Sequence, residues 1–373
     1  MSIGSVQTQF LHLEKPFLLD SGELLEHITL AYETYGTLNS SASNAILVFH
    51  ALTGSQHAAG VNPSVPGVGP LWTDECVMGW WDAFIGPGKA LDTNRFFIIC
   101  VNYLGSCYGS TGPRSINPNT GKPYGSQFPQ VSAWDVVRSQ VYLLDHLGID
   151  QLHGVIGGSM GGMLSILFAT RCPQRVKHVL PIATGLETTV LQRVHNFEQI
   201  LAIRNDPRFQ GGDYYDSEPP KEGLLLARII SHKTFVSLPM MVQRAKQKIL
   251  TDPSTESFYE FSNPVESYMF HQGRKFAERF DANSYLRIVD MWQRFSLDTR
   301  PPKLFEYCGH QQYLIFSVDS DVCFYPEEQK LIVQVLKTAQ MKVKHITVHS
   351  DKGHDSFLLE PELYAPYIQF ILG

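Results

Sequence analysis

Residues 152–162 read Leu-His-Gly-Val-Ile-Gly-Gly-Ser-Met-Gly-Gly, an apolar run that breaks into a glycine-framed serine and then into the helical pattern of residues 163–171. This is the pattern of a strand, a sharp turn that lifts a nucleophile, and a helix. Gly157 and Gly161 flank Ser159, where the tight turn and an approaching substrate leave no space for a Cβ atom. Ser159 is therefore the candidate nucleophile, and the rest of the chain must supply a base and an acid on the same sheet edge.

The surrounding pattern predicts that sheet. Ile28–Tyr35, 45–50 and 96–103 read as strands, 132–147 as a helix stopped by Gly148, 176–182 as a strand, 313–318 as a strand, 326–338 as a helix and 343–349 as a strand. Strands alternating with helices predict an α/β fold with a mostly parallel sheet. Between about Gly185 and Arg300 the alternation gives way to helical patterns such as 186–204 and 236–249, with a polar turn at 217–221. We expect a core of residues 1–184 and 301–373 and a helical lid of residues 185–300 roofing the catalytic edge.

A serine hydroxyl needs a base within hydrogen-bond reach and a carboxylate that orients the base. The strand ending at Val318 runs into Asp319-Ser320-Asp321, and the Asp-x-x-x-x-Pro spacing into the next helix favours Asp321 as the acid, with Asp319 serving its own loop. Beyond the last strand, the loop Ser350-Asp351-Lys352-Gly353-His354-Asp355 carries the candidate base, His354; His345 and His349 fall within the strand. The chain order Ser, acid, His is the one such sheets use. Met160, directly after the serine, and Leu52, in the loop His50-Ala-Leu-Thr-Gly54, are the expected oxyanion donors. His50 and His57 precede the serine and are read as structural.

Composition narrows the partners. A net charge of -6 offers no broad basic surface for nucleic acid or anionic lipid, and no segment approaches the roughly 20 apolar residues of a membrane span. The N-terminus carries no basic segment followed by an apolar stretch, so the cytoplasm is the expected location. The six cysteines lack a C-x-x-C pair and are expected to be free thiols, and the 14 histidines show no zinc-ligand spacing, so no metal is expected. Gly-Pro-Gly-Lys-Ala at 86–90 lacks the first glycine and the Ser/Thr of a phosphate-binding loop, and no nucleotide cofactor is expected.

The motifs His50-Ala-Leu-Thr-Gly54, Gly79-Trp-Trp-Asp82, 85–93, Gly109-Ser-Thr-Gly-Pro113, 157–162, Gly211-Gly-Asp-Tyr-Tyr215, Arg279-Phe-Asp-Ala-Asn-Ser-Tyr285 and Gly353-His-Asp355 together closely resemble the homoserine O-acyltransferases of the α/β-hydrolase superfamily, chiefly the homoserine O-acetyltransferases. The resemblance covers nearly the whole chain. It implies ping-pong acyl transfer from acetyl-coenzyme A, or succinyl-coenzyme A, to the hydroxyl of homoserine in methionine biosynthesis, through an acyl-Ser159 intermediate, with coenzyme A as a co-substrate. It also implies a homodimer built through the lid. Asp355 takes the place of the family carboxylate that holds the acceptor's ammonium. Where the family's lid helix is expected to carry an arginine for the acceptor's carboxylate, this chain reads Ile200-Leu-Ala-Ile203. Arg204, four residues beyond Ile200, and Arg193, seven before, are its candidate substitutes, offset by roughly 6 and 10 Å along one helix. Another acceptor such as serine, or hydrolysis by an esterase or thioesterase using the same three residues, are the alternatives this departure leaves open.

Overall fold

The computed structural model describes residues 2–245, 261–297 and 303–373. Among them eight strands form one sheet: β1 (Gln9–Leu13), β2 (Ile28–Tyr35), β3 (Ala45–Phe49), β4 (Phe97–Val101), β5 (Leu152–Gly158), β6 (Val176–Ile182), β7 (Gln312–Val318) and β8 (Lys342–Val348). Their spatial order is β1-β2-β4-β3-β5-β6-β7-β8. The pairs β1–β2 and β2–β4 are antiparallel, whereas β4, β3, β5, β6, β7 and β8 run parallel.

The central strands are apolar on both faces because helices cover both. Ala45–Phe49 is buried at every position, and two apolar clusters lie on opposite sides of the sheet, one around Leu47, Val155 and Ile315 and the other around Val48, Ile156 and Phe316. Helix α1 (Ala133–His146) starts at a capping box between Ser132 and Asp135. Helix α2 (Met160–Arg171) follows β5 after the single residue Ser159. It begins three residues earlier than the pattern from Met163 suggests. Gly161 and Gly162 disfavour a helix start, but the turn at Ser159 ends so abruptly that the next residue is already helical.

Between β6 and β7 the chain is helical: α3 (Val190–Arg204), α4 (Lys221–Phe235), α5 (Leu238–Ala245), α6 (Pro264–Arg279) and α7 (Ala282–Gln293). The helix expected from residue 186 begins instead at Val190, because Thr189 and Gln192 form a reciprocal capping box that sets its start. The expected helix 236–249 is observed as Leu238–Ala245; its residues 246–249, like the boundary at 300–301, lie outside the described residues. Helix α8 (Pro326–Thr338) and helix α9 (Pro361–Leu372) complete the flanking layers. All six cysteines are unpaired, and no helix of the described residues is long and apolar enough to cross a membrane.

Candidate active site

Ser159 sits at the carboxyl end of β5 with φ 60° and ψ -129°, a conformation an L-residue holds only under external constraint. The constraint is visible. Its N–H donates to the Ile182 carbonyl at 2.9 Å and its carbonyl accepts from Thr184 Oγ1 at 2.7 Å, so the neighbouring strand clamps both sides of the turn. A Cβ on Gly157 would lie 2.4 Å from the Gly161 carbonyl, and one on Gly161 would lie 2.2 Å from the Phe49 oxygen. The first turn of α2 is thus in backbone contact with the end of β3, which brings the 50–54 loop beside the serine.

The loops after β7 and β8 meet at the same edge. His354 Nδ1–H donates to Asp321 Oδ2 at 2.7 Å, and Asp321 Oδ1 accepts the backbone N–H groups of Cys323 (2.7 Å) and Phe324 (2.9 Å). The carboxylate is therefore held by its own loop while one oxygen faces the imidazole. Asp319 instead pairs with His349 at 2.8 Å on the exposed rim, and His345 bonds Ser317 Oγ at 2.7 Å. The His354 ring stacks on Phe324 with centroids 5.5 Å apart and meets Phe357 edge-on at 5.3 Å. Burial disfavours its charged form, but Asp321, then Asp355 and Glu328, outweigh this and leave the imidazole above its ordinary value. Its Nε2 is buried and takes no hydrogen bond from the protein, Ser159 Oγ included; such contacts commonly tighten only around substrate.

Backbone donors complete this end of the site. Met160 is the first residue of α2, where N–H groups have no partner within the helix. Among the described residues neither its N–H nor that of Leu52 has a protein acceptor.

On the acceptor side the structure adds a candidate to those read from the sequence. Ile200 packs against the apolar core, Arg204 is exposed at the end of α3, and Arg193 bonds the Thr188 and Gln293 carbonyls. A cation nearer that edge is Arg228, on α4. Its guanidinium lies 5.2 Å from the Phe235 ring centroid and 5.0 Å from that of Phe276, and Phe235 in turn faces the His354 ring at 6.1 Å. Ser237, just past α4, hydrogen-bonds the Asp351 carbonyl and ties this helix end to the histidine loop. Among the described residues no carboxylate lies within ion-pair distance of Arg228, although it interacts electrostatically with Asp355. Burial pushes the Asp355 carboxyl up, against the opposing pull of His354, Arg228 and Arg244. The available signal was one arginine inside the apolar run Leu224-Leu-Leu-Ala-Arg-Ile-Ile, a residue type that is rarely buried without purpose.

A second pair missed in the sequence joins α3 to the acid loop. Gln192 Nε2 donates to the Cys323 carbonyl at 2.8 Å and reaches both Glu328 oxygens at 3.3 Å. Burial pushes the Glu328 carboxyl up to about 8.

The model of the α/β-hydrolase fold matches residues 44–361. A homoserine O-acetyltransferase of Deferribacter desulfuricans is 42% identical over 374 aligned positions, which span all of this chain and 97% of the relative. The chain belongs to the homoserine O-acetyltransferase family. Within the wider fold, the crystal structure of homoserine O-acetyltransferase from Bacillus anthracis aligns with a TM-score of 0.87 at 27% identity, covering this whole chain and 98% of that one. Esterase E22 aligns with a TM-score of 0.85 at 26% identity, over 99% and 100% of the two chains. This family's architecture thus appears in solved structures of both an acetyltransferase and an esterase.

Proposed function

We propose that this protein is an acetyl-coenzyme A:L-homoserine O-acetyltransferase acting in methionine biosynthesis. The observation that carries the reading is a pair of groups of opposite sign near His354: the Asp355 carboxyl next to it in sequence, and the Arg228 guanidinium against Phe235, which forms no ion pair with a carboxylate among the described residues. An α-amino acid presents an ammonium and a carboxylate. Asp355 holds the first, and Arg228, with its fork of donors, holds the second.

In the first half-reaction His354 Nε2 removes the Ser159 proton as Oγ attacks the thioester carbonyl. The Leu52 and Met160 N–H groups receive the oxyanion, and its collapse breaks the C–S bond while His354 returns the proton to the departing thiolate. In the second, His354 takes the proton of the acceptor hydroxyl, whose oxygen attacks the acyl-enzyme. Ser159 leaves with that proton, and O-acetylhomoserine is released. Asp321 keeps the Nδ1–H tautomer throughout.

Residues 185–300 act as the lid of this site. Helix α3 supports assembly of two copies through it: Val190, Val194, Phe197 and Leu201 form an exposed apolar stripe at spacings of four, three and four, as in a helix-to-helix seam. Six unpaired thiols fit a reducing, cytoplasmic setting. Hydrolysis is the second reading, favoured by the likeness to esterase E22. Purified protein incubated with acetyl-coenzyme A and L-homoserine, beside serine, succinyl-coenzyme A and water-only arms, decides by mass spectrometry. O-acetylhomoserine that is absent with Ser159→Ala supports transfer. Thioester loss at the same rate with and without acceptor refutes it.

A further inference from the structure

Ala51 and Leu52 share one peptide group, and in a trans peptide the carbonyl and the N–H point in opposite directions within a plane. Whatever holds the Ala51 oxygen therefore aims the Leu52 N–H. Two donors hold it: His50 Nδ1 at 2.7 Å and the Gly54 N–H at 3.0 Å. A carbonyl only accepts, so the proton of the His50 ring is on Nδ1. Both lone pairs of the Ala51 oxygen are occupied, which leaves the peptide no alternative partner to rotate toward.

The imidazole is itself fixed. It is fully buried, stacked on Tyr103 with centroids 3.5 Å apart and planes 20° apart, and the Tyr103 hydroxyl donates to the His50 carbonyl at 2.5 Å. Its Nε2 has no partner in the protein. Burial brings the ring down to about 3, so it stays neutral at working pH and keeps one tautomer. Donation into the Ala51 carbonyl also polarises the peptide and strengthens the N–H at its other end.

We propose that His50 is the positioning residue of the oxyanion hole: its Nδ1–H, bonded to the Ala51 carbonyl, sets the peptide plane that turns the Leu52 N–H toward the Ser159 oxyanion. The assignment rests on the reading of Leu52 as an oxyanion donor. His50 contacts no reacting atom, and its effect belongs to the transition state rather than to substrate binding.

Two substitutions separate donor from shape. His50→Leu fills the space without a donor, and His50→Asn places an amide nitrogen on Cγ where Nδ1 was. We would follow single-turnover acetylation of Ser159 by acetyl-coenzyme A, the affinity for methylboronic acid as a tetrahedral mimic, and the affinity for a non-reactive thioether of coenzyme A. His50→Leu is expected to slow acetylation about 10- to 100-fold, a fraction of the loss seen when a whole oxyanion donor is removed. Boronate affinity should fall in parallel, thioether affinity should hold, and His50→Asn should recover most of the rate. Acetylation within twofold of wild type in His50→Leu, or an Asn variant as slow as the Leu variant, overturns the assignment. Should His50→Leu not fold, Tyr103→Phe, which frees the His50 carbonyl, must give a smaller loss of the same kind, and no loss overturns the assignment. Replacing Leu52 by its α-hydroxy acid, which exchanges the N–H for oxygen, tests the premise. A wild-type rate in that chain removes the Leu52 reading and the assignment with it; a slow rate beside a fast His50→Leu removes only the His50 assignment.

Discussion

Arg228→Met is the substitution that most directly tests the acceptor site. The guanidinium lies against Phe235 and Phe276, so methionine keeps the volume of the stem against both rings while removing the charge and the fork. A hydrogen-bonded guanidinium–carboxylate contact contributes about 1.5–3 kcal/mol, which at 1.4 kcal/mol per tenfold corresponds to a rise of about 10- to 150-fold in the acceptor KM. Arg228→Lys should fall between, since an ammonium supplies charge without the two-pronged geometry. Steady-state kinetics with homoserine varied at saturating acetyl-coenzyme A measures this, and rapid-quench acetylation of Ser159 without acceptor isolates the donor half-reaction. The second should stay within twofold of wild type. Arg204→Ala and Arg193→Ala should leave both unchanged, since one side chain is exposed and the other is bound to the Thr188 and Gln293 carbonyls. An acceptor KM within threefold of wild type in Arg228→Met, or an equal loss in the donor half-reaction, would refute the assignment of this arginine to the acceptor's carboxylate.

Asp355→Asn should raise the acceptor KM with little change for the donor. Because Asp355 helps hold His354 above its ordinary value, the acid limb of the acetylation rate, where the base becomes protonated, should also move to lower pH; an unmoved limb contradicts the coupling. Ser159→Ala should show no acyl-enzyme in the intact mass after exposure to acetyl-coenzyme A. Glu33 accepts from Thr8, Tyr35, Asn62 and His57 at 2.7–2.8 Å, and although burial pushes its carboxyl up, these donors hold it below its ordinary value. Its contribution to stability is present above the unfolded carboxylate's value of 4.5 and is lost as pH falls through the lower folded value. Glu33→Gln should cost about 3–5 kcal/mol in urea unfolding at neutral pH, and a cost below 1 kcal/mol would refute the network's role. Phe197→Glu places a charge in the exposed stripe of α3 and should shift the sedimentation profile to monomer if two copies associate there; an unchanged profile excludes that surface.

What the sequence reveals and what it hides divides along the length scale of the interactions. The turn at Ser159 is legible because its cause is local: glycines at 157 and 161 are where a Cβ would strike backbone, and that constraint is written in residue types a few positions apart. The pairing of Asp321 with His354 follows from the order of strand ends. Arg228 was not legible in the same way. The sequence pattern puts the expected cation for an acceptor's carboxylate on the helix that precedes Asp206-Pro207, whereas Arg228 lies on the next helix, whose C-terminal end is tied to the histidine loop through Phe235 and Ser237. Within its own helix Arg228 looks like an interruption of an apolar stripe, and only the packing of α4 on the histidine loop brings that arginine, through the Phe235 ring, toward His354. His50 shows the limit from the other side. It is part of a recognisable loop and reads as structural in the sequence, yet whether such a histidine merely fills space or aims a peptide depends on which nitrogen carries the proton and where that proton points. A single 2.7 Å contact to a carbonyl decides it. Residue type and spacing therefore identify the groups that react, whereas the groups that orient them emerge only when rotamer and tautomer are specified.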